Sequence, residues 1–195
     1  MCLVVAFATG FAMYIILAII VLIALYAVLT YNGLVRARQV AEEAWSGIDV
    51  QLKRRADLIP NLVETVKGYA GHENQTLREV VEARSRAQAV PAGDVAGRAV
   101  AEGVLGQALG RLMVVSEAYP DLKANVGFVE LQQSLETTEN EIQMSRRYYN
   151  GAARDLNVKV ESFPNNLLAG PFGFTKRAFF EITNETDRAV PSVKF

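Results

Sequence analysis

The densest charge chemistry in this 195-residue chain lies in QLKRRADLIPNLVETV, residues 51–66, where Lys53, Arg54 and Arg55 precede Asp57 and Pro60. Consecutive cations can grip an anion, such as a lipid headgroup or an acidic protein surface. Successive helical residues turn by about 100°, so three in a row encircle a helix rather than form one patch. The competing account is positive charge near a helix C-terminus or bent turn, where the peptide dipoles favour it. Other chemistry is thinly supplied. His72 is the only histidine, and its HE pair has no second histidine at zincin spacing. Cys2 is the only cysteine, which excludes an internal disulfide or a thiolate metal cluster and reads as an apolar residue of an anchor. No glycine-rich phosphate loop is present, and a Ser-His-Asp arrangement would need His72, which nothing places near a serine. Gly103, Gly106 and Gly110 lie on a helical pattern, which predicts close helix–helix approach. The carboxylates fall on solvated faces. The expectation is no catalysis, no cofactor and no metal.

The elements that must position these residues begin with an anchor. Residues 1–35 contain no charged side chain. The apolar run MCLVVAFATGFAMYIILAIIVLIALYAVLTY exceeds the roughly 20 residues needed to cross a bilayer and would reach about 45 Å as a helix. It is too long, and too poor in basic residues at its start, for a cleaved signal peptide. The first cations after it are Arg36 and Arg38, so the positive-inside rule predicts a single-pass membrane protein with a cytoplasmic soluble domain. Glu42 and Glu43 follow at once, and an extracytoplasmic domain is the alternative. The net charge of −1, with both signs interleaved, argues against a nucleic-acid partner.

Three long helical patterns follow. The first runs through Trp45, Ile48, Leu52, Ile59, Leu62 and Val66, and the second through Val95, Ala99, Leu105, Leu109, Leu112, Ser116 and Tyr119. The third is unbroken: Phe128, Leu131, Leu135, Thr138, Ile142, Ser145, Tyr149, Ala152, Leu156. Its alternating steps of three and four mark a bundle seam. Gly68 and Gly71 end the first helix, which can run straight out of the membrane with Gly33 as a soft point. Asn74 or Thr76 is expected to cap the next helix, which continues to about Val90. Pro91–Asp94 is a turn with Asp94 as a cap, and Pro120-Asp121 opens the connection to the last long helix. Pro60 either kinks one helix or separates two with Asp57 as the second cap; the in-phase stripe favours the kink. The predicted fold class is all-α, an N-terminal transmembrane helix followed by an antiparallel bundle of long helices. The expected divisions are an anchor at 1–35, a long-helix bundle at 36–163, and a Phe-rich cap and tail at 164–195.

The segment FPNNLLAGPFGFTKRAFF holds five of the nine phenylalanines. They either plug an open end of the bundle or dock on lipid or a neighbouring subunit. The candidate contact residues for a membrane or partner are therefore Lys53, Arg54, Arg55, Phe172, Phe174, Phe179 and Phe180. The polar tail TNETDRAVPSVKF, with its short strand-like end, has too few apolar groups to order itself. Contact with an adjacent chain, in a homo-oligomer, or with its own bundle would supply the missing contacts.

In order along the chain, YNGLVRARQ, AWSGIDVQLKRRADLIPNLVETVKGYAGHE, EAYPDLKAN, ENEIQMSRRYYNGAARDLN, ESFPNNLLA and FGF together resemble the LemA family of bacterial membrane proteins. The resemblance covers Tyr31 through Phe180 and is weakest in the Ala- and Gly-rich stretch between Arg84 and Leu109. It implies a single membrane span followed by a long-helix bundle, and it carries over no catalytic residue. A related member associated with magnetosome membranes points by analogy to membrane organisation. The expected function is a membrane-anchored scaffold that self-associates or organises the bilayer. The alternatives are an adaptor for another membrane protein, such as a protease or sensor, and a hydrolase with a cryptic site.

Overall fold

The computed structural model describes residues 2–70 and 73–181, with side chains from residue 13 onward. His72, the Cys2 side chain and the tail from residue 182, with its expected strand-like end and subunit contact, lie outside the described residues. The described elements are helices only: α1 (Cys2–Tyr69), α2 (Asn74–Ala89), α3 (Val95–Ser116), α4 (Pro120–Lys123), α5 (Val126–Glu161) and α6 (Asn166–Ala169). The chain is all-α, as its helical periodicity predicts.

Helix α1 runs through both Gly33 and Pro60 without ending. Asp57 therefore starts no new helix. A proline at position 60 deprives the carbonyl of Ala56 of its usual helical donor. That carbonyl instead accepts from Nε–H of Arg84 on α2, at 2.7 Å. The buried stripe keeps phase on both sides of the proline, with Ala56, Ile59 and Leu62 all inside. Pro60 itself is exposed, so its ring displaces nothing in the core.

Local signals set the other ends. The Asp94 carboxylate accepts from the Gly97 N–H at 2.8 Å and caps α3. A Cβ at Gly97 would stand 2.2 Å from the Asp94 carboxylate, so a larger residue there would displace the cap. Asn125 caps α5 in the same way, accepting from Phe128 N–H at 3.0 Å. At α2 the expected cap is not found: the helix begins at Asn74, Glu73 occupies the cap position, and no side chain bonds there. Pro120 sits in the first turn of α4, where a missing N–H costs nothing.

The described chain divides into two compact units. The first comprises α1 up to Ala41 together with Ala152–Arg177. Here Leu34, Ala169 and Phe174 form a small core with Val35 and Val160 against it. Asn157 holds Arg177 by both backbone groups, accepting from its N–H at 2.8 Å and donating to its carbonyl at 2.9 Å. Residues Met13–Leu29 of α1 are exposed almost throughout, with large apolar side chains on every face of the helix. This stretch is long and apolar enough to cross a membrane.

The second unit comprises Glu42–Gly151 and the described residues from Ala178. Its topology follows from the contacts. Trp45 meets Tyr149, Arg54 meets Glu141, and Tyr69 meets Asn125, so α1 and α5 are antiparallel. Asp49 and Arg55 meet Arg98 and Glu102 in rising order, so α1 and α3 are parallel. The α2–α3 hairpin is tied by Arg111 and Glu79 at 3.0 Å. The result is an up-down-up-down bundle of four helices with short connections. Its core contains Ile59, Leu62 and Val66 of α1, Leu77 and Val80 of α2, Leu105 and Leu112 of α3, and Phe128 and Leu135 of α5. On α5 the predicted seam is buried or half-buried at each of its nine positions, Phe128 to Leu156.

Candidate functional site

The first two apolar stripes each contain a gap, and the gaps meet. On α1 the stripe jumps seven residues from Leu52 to Ile59, and Arg55 fills the missing seam position. On α3 it jumps six from Ala99 to Leu105, and Glu102 fills that one. Arg55 is only 2% exposed and Glu102 only 1%. The Arg55 guanidinium donates from Nη2 to Glu102 Oε2 at 2.6 Å and from Nη1 to Glu139 Oε2 on α5 at 2.7 Å. Nη2 also donates to the Glu102 backbone carbonyl at 3.3 Å. The other Glu102 oxygen, Oε1, accepts from Arg98 Nε at 2.8 Å, and Arg98 reaches Asp49 at 3.6 Å. Five charged side chains thus join α1, α3 and α5 through one buried guanidinium. The expectation that all carboxylates lie on solvated faces fails at Glu102.

Burying charge in a core is costly unless each group is paired and hydrogen-bonded. A planar guanidinium suits this position because its rigid fork can reach two carboxylates at once, which a lysine ammonium cannot do with fixed geometry. The network therefore ties α1, α3 and α5 to one another. Both Glu102 oxygens are occupied, which leaves the carboxylate poorly placed to take a proton from a substrate. Nε of Arg55 and Oε1 of Gln51, a donor and an acceptor one turn apart on α1, are buried without hydrogen-bond partners among the described residues.

Beside this network, α3 and α5 leave a cleft of about 570 Å³. Gly106 and Gly110 line it on one side, with Leu109 and Met113, and Leu135 and Gln143 on the other. A Cβ on Gly106 or Gly110 would meet nothing within 4 Å. The close helix–helix approach expected of these two glycines is therefore not made among the described residues; they line a cleft instead.

The sequence-predicted contact residues fall into two groups. Arg55, Phe174 and Phe180 are buried. Arg55 spends its charge on Glu102 and Glu139, which leaves none for a headgroup or an acidic surface. Phe174 lies edge-on to Tyr31 at 5.7 Å with the Arg38 guanidinium 5.1 Å above its ring. Phe180 packs at 5.7 Å from Trp45, which also meets Tyr149 at 5.4 Å. Asn150 clamps Phe180 through both backbone groups, at 2.8 Å and 3.2 Å, and the Tyr149 hydroxyl donates to the Ala178 carbonyl at 2.8 Å. Exposed are Lys53, Phe172, Phe179 and Arg54, the last paired with Glu141 at 3.3 Å. Glu102, Glu139, Arg98, Asn150 and Asn157 were not singled out as site residues. Glu102 was detectable from the gap in its stripe. The two asparagines, on the inner side of α5, carried no signal of what they bind.

The model of the LemA family matches residues 44–195. The chain belongs to the LemA family. The apolar segment at residues 13–29 precedes the matched part. Among relatives, the chain is 27% identical over 175 residues to magnetosome protein MamQ 2 of Paramagnetospirillum magneticum and 29% over 174 residues to magnetosome protein MamQ of Magnetospirillum gryphiswaldense. These alignments cover 77% of this chain and 64% of each relative. The protein LemA of Metamycoplasma hominis is 28% identical over 150 residues, covering 77% of this chain and 68% of that one. The chain thus spans just under two thirds of the length of the magnetosome relatives. The matched residues 44–195 include the α1 stretch that supplies Arg55 and the α5 stretch that supplies Glu139 and Asn150.

Proposed function

We propose that this LemA-family chain is a membrane-anchored helical scaffold that self-associates or organises the bilayer, without catalysis. The observation that carries the reading is covalent: the exposed apolar stretch Met13–Leu29 and the bundle residues Ile48–Val66 belong to one uninterrupted helix, α1. One helix that carries both an apolar stretch long enough to span a bilayer and the bundle's core residues suits a membrane-anchored scaffold. The names of the magnetosome relatives support a role at a membrane. Light scattering in detergent tests it: the scaffold forms homo-oligomers by itself, and a chain that stays monomeric over a wide concentration range overturns the proposal. The cleft between α3 and α5 favours a second reading, an adaptor that seats part of another membrane protein against Gly106 and Gly110. A monomer that co-purifies from native membranes with one protein in fixed ratio selects that reading.

The soluble part is placed on the cytoplasmic side, because Arg36 and Arg38 follow the apolar stretch and no cation stands within it. In a Cys2→Ser background, Ser134→Cys resists a membrane-impermeant thiol reagent in intact cells and reacts after lysis. Rapid labelling of intact cells reverses the orientation.

A further inference from the structure

The turn after α5 shows three large apolar side chains to the outside. Phe163 is 79% exposed, Leu167 63% and Phe172 56%. The turn itself is well held. The Phe174 N–H donates to the Ala169 carbonyl at 2.9 Å and the Gly173 N–H to Gly170 at 3.0 Å, with Gly173 at φ 71°. That is a Schellman closure, and its left-handed residue is glycine because other side chains would be strained there. Ala169 and Phe174 are thereby turned inward on Leu34, which leaves Phe163, Leu167 and Phe172 outside. Exposed apolar groups this large and this close together mark an interaction surface.

Contacts within this unit give the turn its level along α1. The Tyr26 hydroxyl donates to Asn165 Oδ1 at 2.8 Å. The Tyr31 ring meets Phe172 edge-on at 5.2 Å. Lys159 donates to the Gly33 carbonyl at 3.4 Å. The turn thus lies beside residues 26–33, where the uncharged stretch ends and Arg36 and Arg38 begin. For a helix crossing a bilayer, that level is the boundary between acyl chains and headgroups, where tyrosine and other amphipathic rings collect. The charge agrees. Residues 1–41 and 152–177 hold six cations and two anions, while the rest of the chain holds fourteen cations and nineteen anions. A second copy of this unit would bring the same positive excess to the contact; anionic phosphates complement it.

We propose that residues 162–174 form a second, non-spanning membrane contact, in which Phe163, Leu167 and Phe172 enter the headgroup–acyl boundary of an anionic bilayer beside the spanning helix. The proposal rests on reading α1 as the anchor, and it identifies the lipid surface as the partner of the Phe-rich segment. Such a contact fixes how deep the anchor sits and limits its rotation, because two attachment points replace one.

Spin labels on the full chain test it, in a Cys2→Ser background reconstituted into vesicles of phosphatidylcholine and phosphatidylglycerol. One label each is placed through Leu167→Cys, Leu22→Cys and Val126→Cys, all exposed positions that leave the cores intact. The label at position 167 is expected to behave like that at 22, relaxed by oxygen and shielded from an aqueous nickel chelate, while that at 126 shows the reverse. A water-like label at 167 with a lipid-like label at 22 overturns the contact and leaves the anchor standing. A water-like label at 22 overturns both. A label at 167 shielded from both oxygen and nickel, with dipolar broadening between labels, assigns the surface to a second copy and also overturns the proposal.

Discussion

Arg55→Ala is expected to destabilise the bundle by about 3–5 kcal/mol, because it strands the carboxylate of Glu102 in a core position with Arg98 as its remaining charged partner. Glu102 is 1% exposed, so water cannot replace the lost donors without opening the seam between α1 and α3. Glu139 is half-exposed at its side chain and recovers by solvation, so the cost concentrates at Glu102. The paired replacement Arg55→Met with Glu102→Leu removes both buried charges and is expected to return most of that stability. Paired apolar substitutions of this kind are often neutral or stabilising by about 1–4 kcal/mol. Urea unfolding of the full chain in nanodiscs, followed by circular dichroism, measures both. A single variant that unfolds at the wild-type midpoint shows that the network contributes nothing. A paired variant that stays folded but loses a single well-ordered packing assigns the network to register rather than stability.

Ile142→Asp is the second large effect. Ile142 is 0% exposed, at the centre of the α5 seam. Burial of an unpaired carboxylate costs several kcal/mol, enough to exceed much of the 5–15 kcal/mol stability of a typical domain. The expected result is rapid proteolysis of the soluble part, with the apolar N-terminal stretch retained in the membrane fraction. Leu131→Asp, at a half-buried position of the same seam, is expected to cost less, since the carboxylate can reach water. Equal helicity and equal melting temperature for Ile142→Asp and wild type would show that α5 is not packed along this face.

Much of the fold was written in one-dimensional pattern. A run without charge, followed by stripes that step by three and four, specifies an apolar helix and then amphipathic ones, since those steps are what aligns side chains on one face of a helix. The unbroken stripe from Phe128 to Leu156 and the cap at Asp94 needed nothing beyond local geometry. The functional reading of the cations did not follow in the same way. Lys53, Arg54 and Arg55 look alike in the chain, yet two of them face water and one is buried, because only position 55 falls in phase with Leu52 and Ile59. That phase was readable, but its partners were not. Glu102 and Glu139 come from segments 47 and 84 residues away, and nothing local states that their helices converge on Arg55. Pro60 poses the same problem. Whether it ends a helix depends on who serves the Ala56 carbonyl, and the answer, Arg84, stands 28 residues further on and on another helix. The phenylalanines divide for a related reason: the Schellman closure at Gly173 and the asparagine clamp on Phe180 turn Phe174 and Phe180 inward and leave Phe172 and Phe179 outside. Side-chain periodicity is a property of one helix, whereas charge pairing and carbonyl rescue are properties of two or three helices in register. That register arises when the chain folds back on itself and buries its stripes together.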